Sequence, residues 1–101
     1  MFWENIVSDI NLSGKKIVKK DIIKTKYFNI VMVYLGKNQE IPPHPEPYAV
    51  FFFVLQGRGK FTKKDELYML HKDSCIFFES NEIRGIKSHE DLILLGIQEP
   101  H

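Results

Sequence analysis

Residues 41–59 read IPPHPEPYAVFFFVLQGRG, and the fold follows from this stretch. Pro42, Pro43, Pro45 and Pro47 crowd around His44 and Glu46. Proline fixes φ and lacks an amide hydrogen, so this approach suits neither a helix nor a central strand. It reads as a stiff extended lip that holds His44 and Glu46 in place. An unbroken apolar run then extends from Ala49 to Leu55 and ends at Gly57–Arg58–Gly59. A seven-residue run rich in valine and phenylalanine favours a strand over a helix. Alternation puts Val50, Phe52 and Val54 on one side and Phe51, Phe53 and Leu55 on the other. Both triplets are apolar, so the strand needs cover on both faces. A single sheet with one wet face would leave one triplet exposed. The expectation is a two-layered or closed β structure, with a partner chain over part of its outside.

Upstream, Tyr27–Leu35 (YFNIVMVYL) reads as a strand, and Gly36–Lys37–Asn38 turns the chain into the lip. Lys15–Lys26 is ambiguous by periodicity, because Ile17, Val18, Ile22 and Ile23 also fit a helical face. Its β-branched content and its lack of caps favour a strand. The six lysines there suit a solvated edge strand, and no Arg–aromatic interleaving points to nucleic acid. Ser13–Gly14 signals a turn. Phe2, Trp3, Ile6 and Val7 form a helical turn or short strand, and two aromatics so near the end suggest a docked segment.

Downstream, strands are expected at Lys60–Thr62, Leu67–Leu70, Cys75–Phe78, Ile83–Ile86 and Leu92–Ile97, with turns between them. No convincing long helix interrupts the series. Short strands recurring between turns indicate an all-β sandwich or barrel.

The 101 residues suit one domain, 1–101. A net charge of +1 calls for neither nucleic acid nor an anionic membrane. Cys75 is the one cysteine, so no internal disulfide forms and a reducing compartment is expected. Glu4 and Asp9 interrupt the apolar start, no basic n-region precedes it, and no run is long enough to span a bilayer. A cytoplasmic protein is the resulting expectation.

The quoted stretch resembles the first motif of the cupins, in which H-x-H and an acid precede a V-L-x-G turn. Leu70–Gln98 (LHKDSCIFFESNEIRGIKSHEDLILLGIQ) resembles the second, an L-x-x-G-D turn, a strand, H-G-I and a last apolar strand. The resemblance covers residues 15–98, leaving 1–14 as the docking segment. It implies a small jelly-roll barrel (a double-stranded β-helix), commonly a homodimer, with its pocket in the barrel mouth.

Metal-binding cupins ligate with two histidines and a glutamate from the first motif and a histidine from the second. Such ligands suit Mn, Fe, Ni, Cu or Zn. Carried over, the first histidine is His44, the second is Glu46 and the glutamate is Val50. The last histidine falls on Arg84, with a one-residue ambiguity against Ile83. Lys72 also replaces the glycine before Asp73. At most His44 and Glu46 remain as ligands, and an arginine beside a divalent transition metal would be repelled by it. Tyr48, Gln39 and Glu40 lie near enough in sequence to be recruited.

Elsewhere, His71, His89 and His101 read as solvated, and Cys75 as a small buried hydrophobe. Two functional readings result. One is a metal-free cupin binding a small molecule in a pocket keyed by His44, Glu46, Tyr48 and Arg84 and lined by aromatics such as Phe52. An arginine there suits a carboxylate or phosphate, because its fork binds two oxygens. The other is a metal-dependent dioxygenase or isomerase with a non-standard ligand set. A purely structural dimer module is a third possibility. The first reading carries an expectation of geometry: Glu46 and Arg84 form an ion pair across the metal position.

Overall fold

The computed structural model describes residues 1–9 and 17–101, apart from the side chain of Asp9. The Ser13–Gly14 turn and the first two lysines of the 15–26 segment lie outside the described residues. A single helical turn, α1 (Ile6–Asp9), precedes the strands. These are β1 (Val18–Lys24), β2 (Asn29–Leu35), β3 (Glu40–His44), β4 (Val50–Gln56), β5 (Arg58–Lys63), β6 (Glu66–His71), β7 (Cys75–Phe78), β8 (Arg84–Ser88) and β9 (Leu92–Gln98). They form a five-stranded sheet, β1-β2-β9-β4-β7, and a four-stranded sheet, β3-β8-β5-β6. Every pairing is antiparallel. The chain crosses between the sheets repeatedly from β2 onward, which is the winding of a double-stranded β-helix.

The β4 run occupies the position its composition demands. It lies between β9 and β7, with both edges paired. Val50, Phe52 and Val54 enter the main core with Val31, Leu35 and Leu94 from the same sheet, facing Phe61, Leu70 and Ile86 from the other. Gly57 then turns the chain from one sheet to the other at φ 83°, and a Cβ there would stand 2.0 Å from the Asp91 carbonyl oxygen. Only glycine fits both constraints.

The proline lip is a strand after all, but an edge strand. β3 pairs only with β8, and its register slips between Ile41 and His44, where Pro42 and Pro43 have no hydrogen to donate. Gly85 makes this approach possible, since a Cβ on it would meet Pro43 at 2.9 Å. The lysine-rich segment resolves as strand β1, also at a sheet edge.

The N-terminal segment docks through part of the expected set: Trp3 is half-buried and Phe2 is not used. Phe2 is 85% exposed, whereas Ile6 and Val7 pack against Met32 and Ile93 on the outer face of the five-stranded sheet. Asn5 caps this turn by accepting a hydrogen bond from the Ser8 amide at 3.2 Å. Beyond α1 the same face stays open. A row of cross-strand partners, Ile30, Ile97, Phe51 and Phe77, crosses four strands there.

The two faces of β4 make a direct test. Phe52→Ala and Phe61→Ala should each destabilise by about 3–5 kcal/mol through lost burial and a residual cavity. Phe77→Ala, on the open outer face, should cost less than about 1 kcal/mol. Urea midpoints measure both; similar values would mean that the inward and outward faces are misassigned.

Candidate functional site

A cavity of about 250 Å³ opens between the two sheets. Its polar wall comes from β1 (Lys19), from the lip (His44, Glu46 and Tyr48), from β8 (Arg84) and from β9 (Gln98). The rest is apolar, chiefly Val33, Val50, Phe52, Phe78 and Ile86. Phe52 and Phe78 meet edge to face, with centroids 6.4 Å apart.

The lip positions His44 through its own backbone. Nδ1 lies 2.7 Å from the Pro42 carbonyl oxygen and Nε2 lies 2.8 Å from Glu46 Oε1. Both ring nitrogens are thus engaged, which fixes the orientation of the ring against the lip. Both side chains are partly exposed. The pair therefore contributes no more than about 1 kcal/mol.

Arg84 stands directly across the β3–β8 ladder from His44. It is 6% exposed, and its charge is met by backbone rather than by an acid. Nε donates to the Glu82 carbonyl at 3.3 Å, and Nη2 donates to the carbonyls of Tyr48 and Glu79, each at 2.8 Å. The rings of Tyr48 and Phe78 both lie 5.3 Å from the guanidinium carbon, within cation–π reach. Burial lowers the Arg84 pKa, and Tyr48, Glu46 and Glu82 partly offset that. Three of the five N–H donors are spent this way. The two on Nη1 are buried and have no partner among the described residues.

The expected Glu46–Arg84 ion pair is not formed. Glu46 turns back onto His44 at 2.8 Å, two residues away, and reaches Arg84 only as a more distant charge. The stiff lip holds Glu46 beside His44, while three carbonyls already occupy one fork of the guanidinium. That also removes the two-pronged grip expected from that fork, leaving Nη1 as the free donor.

Tyr48 completes the mouth. Burial, and next Glu46, raise its pKa above the ordinary value, with Arg84 acting in the opposite sense. Its ring stacks on His101 at 3.8 Å, and the Lys19 ammonium lies 5.8 Å from its centroid. His101 is exposed, as its position at the end suggested, and the stacking on Tyr48 is a contact the sequence did not show. Paired hydrogen bonds between Ala49 and Glu99 hold the tail there: the Ala49 amide donates to Glu99 Oε1 at 2.6 Å, and the Glu99 amide donates to the Ala49 carbonyl at 3.0 Å.

Other expected residues fall elsewhere. Gln39 closes the preceding turn by accepting from the Gly36 amide at 2.6 Å, and Glu40 is exposed. Ile83 is outside the cavity wall, so Arg84 is the inward residue of that pair. Cys75 is exposed rather than buried, because β7 is a sheet edge and its register sets Cys75 opposite the outward Phe53. His89 is partly buried with an unpartnered Nε2, not solvated as its charged loop suggested. Lys19 and Gln98 were not anticipated in the site. Lys19 pairs with the inward Val33, which a reading of β1 as a solvated edge hides. Among the described residues, no three His, Cys, Asp or Glu side chains converge in a way that could hold a metal ion.

The profile of the cupin domain matches residues 31–97. The chain belongs to the cupin family. Its fold is similar to an RmlC-like cupin from Desulfovibrio desulfuricans (TM-score 0.86, 19% identity, covering 100% of this chain and 99% of that one). It is likewise similar to a cupin superfamily protein from Desulfitobacterium hafniense (0.85, 13%, 100% and 95%). A third likeness is to the Cnp3 cupin domain of Schizosaccharomyces pombe (0.82, 19%, 94% and 72%). No curated protein matches this cupin. At these identities the likeness shows the fold alone. Within that fold, the four positions carried over from the cupin ligand set, His44, Glu46, Val50 and Arg84, all lie on the cavity wall.

Arg84 is thus a scaffold clamp as well as a site residue. Arg84→Met should destabilise by about 2–5 kcal/mol, since it strands three carbonyl acceptors. Arg84→Lys should recover little of this, because an ammonium cannot match the planar fork. Glu46→Gln should cost less than about 1 kcal/mol. Chemical denaturation of the three variants checks the order; an equal loss in Glu46→Gln and Arg84→Met would restore the direct ion pair.

Proposed function

We propose that this cupin binds a small anionic molecule in its barrel mouth and does not use the metal of the usual cupin site. The observation that carries the proposal is the unpartnered Nη1 of Arg84 in the wall of the cavity. A buried donor left unsatisfied costs about 1–3 kcal/mol, more when charged, and an acceptor on a ligand removes that cost. An anion also answers the burial of a guanidinium that has no acidic partner within ion-pair distance.

The donor set does not fit a transition metal. Val50 offers no ligand atom where the family has a carboxylate, and Arg84 places a fixed positive charge where it has an imidazole. His44 and Glu46 are the only family-position donors left, and they hydrogen-bond to each other. No step is therefore routed through a metal. Because the site retains a carboxylate and an imidazole but lacks a metal-ligand set, binding is favoured over metal-dependent catalysis. A reducing, cytoplasmic setting fits an exposed, unpaired Cys75. No helix among the described residues is long and apolar enough to cross a membrane.

We also propose that two copies associate through the outer face of the five-stranded sheet. Phe51, Phe77 and Ile97 form a continuous apolar row on that face, beside the half that α1 covers. An exposed contiguous apolar patch marks an interface, and a two-fold pairing of one patch with itself is the commonest closed arrangement. Phe51→Glu should convert the dimer to a folded monomer by sedimentation velocity; a wild-type monomer at every concentration would end this proposal.

For the site, thermal unfolding of the wild type should shift upward in acetate or phosphate at constant ionic strength, relative to chloride. Arg84→Lys should lose the shift. Protein purified without chelator should contain no stoichiometric transition metal. One metal per chain, held through His44, would overturn the metal-free reading.

A further inference from the structure

We infer that the ligand is a monocarboxylic acid with a compact apolar body, its carboxylate on Arg84 Nη1 and its body between the two sheets. This rests on the anion site proposed above and narrows it by charge, polarity and size.

Charge comes first. Among the described residues, Arg84 is the one buried cation of the wall, while Lys19 is exposed and its charge is shared with water. The carboxylate of Glu46 lines the same cavity. One negative charge finds a buried partner here. A second, as on a phosphate monoester, would find no further buried cation among the described residues of the wall, only the Glu46–His44 pair and the exposed Lys19. The donor count agrees: three backbone carbonyls have taken Nε and Nη2, so two N–H groups on one nitrogen remain. Those two suit one or two oxygens of a carboxylate, not three oxygens of a phosphate.

Polarity decides the body. Val33, Val50, Phe52, Phe78 and Ile86 form the walls beyond Arg84. Among the described residues, the polar side chains on the lining besides Lys19, Glu46 and Arg84 are His44, Tyr48 and Gln98. A sugar acid would bury several hydroxyls against hydrocarbon, and each hydroxyl left without a partner is costly. An aliphatic or aromatic body loses nothing there and gains by leaving water. Size sets the limit. A cavity of about 150 Å³ lined by apolar side chains holds benzene, so the 250 Å³ here takes on the order of ten non-hydrogen atoms.

Isothermal titration at neutral pH with four probes tests the inference. They are phenylacetate, its neutral isostere phenylacetamide, the dianion phenyl phosphate, and the hydroxyl-rich monoanion glucuronate. Phenylacetate should bind one per chain, at least about tenfold more tightly than each of the other three. Lys19→Ala, at an exposed position that does not threaten folding, should weaken phenylacetate by no more than about threefold. Val50→Phe adds apolar volume to the same wall without burying a charge, and should weaken phenylacetate at least about tenfold while its circular dichroism stays that of the wild type. Tighter binding of phenyl phosphate or glucuronate, weakened in Val50→Phe, would overturn the apolar monocarboxylate and leave the anion site standing. Equal binding of phenylacetamide and phenylacetate, or no binding of any probe at millimolar concentration, would overturn both.

Discussion

A strand that is apolar on both faces has to be covered twice, and the architecture of this cupin is a response to that requirement. The inward face of β4 meets the four-stranded sheet through Phe61, Leu70 and Ile86, closing the barrel. Its outward face is only partly met within the chain. Ile6 and Val7 shield the end near Met32 and Ile93, and the row through Phe51, Phe77 and Ile97 continues uncovered. Barrel closure and the proposed association thus arise from the same seven residues. The same demand explains the position of Gly57, since the chain must leave β4 and enter the opposite sheet with no room for a Cβ.

Within that frame, the chemistry of the mouth centres on a guanidinium buried without an acid. Arg84 is held by carbonyl dipoles from Tyr48, Glu79 and Glu82 and lies between two aromatic rings. It ties the lip and the loop after β7 to strand β8. A lysine could not make these bonds, because they need a planar fork. The same bonds leave one nitrogen over. Support is therefore the work of Nε and Nη2, and Nη1 is the donor to which the proposed ligand would bind. The His44–Glu46 pair is a separate unit on the neighbouring strand and lip of the same sheet, set by the local geometry of the prolines.

The barrel was legible in the chain before any coordinates, because it depends on quantities that local sequence carries. The apolar period of β4, the turn residues between strands and the placement of prolines each constrain the backbone one segment at a time. The division of β4 into two apolar triplets, the edge position of β1 and the grouping of His44, Glu46, Tyr48 and Arg84 at one pocket followed, while which triplet faces inward was decided by the sheet packing. Misreadings came where a residue's neighbours in space are not its neighbours in sequence. Cys75 looked buried because Ser74 and Ile76 flank it, yet its strand is an edge. Lys19 is exposed, as its lysine-rich surroundings suggested, but its pairing with the inward Val33 also sets it at the cavity mouth, which the sequence did not show.

By itself, then, the sequence determined that this chain is a two-layered β structure, which face of β4 is as apolar as the other, and that a cupin ligand set has lost two of its four donors. Only the tertiary structure decided how the surviving charges are partnered. Whether Arg84 would meet Glu46 or backbone depended on the β3–β8 register and on which carbonyls the 46–48 and 79–82 segments turn inward. Pairing register is set by contacts across the sheet, and a shift of one residue would point Arg84 outward and Ile83 into the cavity. No local pattern carries that information, because a hydrogen bond between residues 36 positions apart exists only once the barrel has closed.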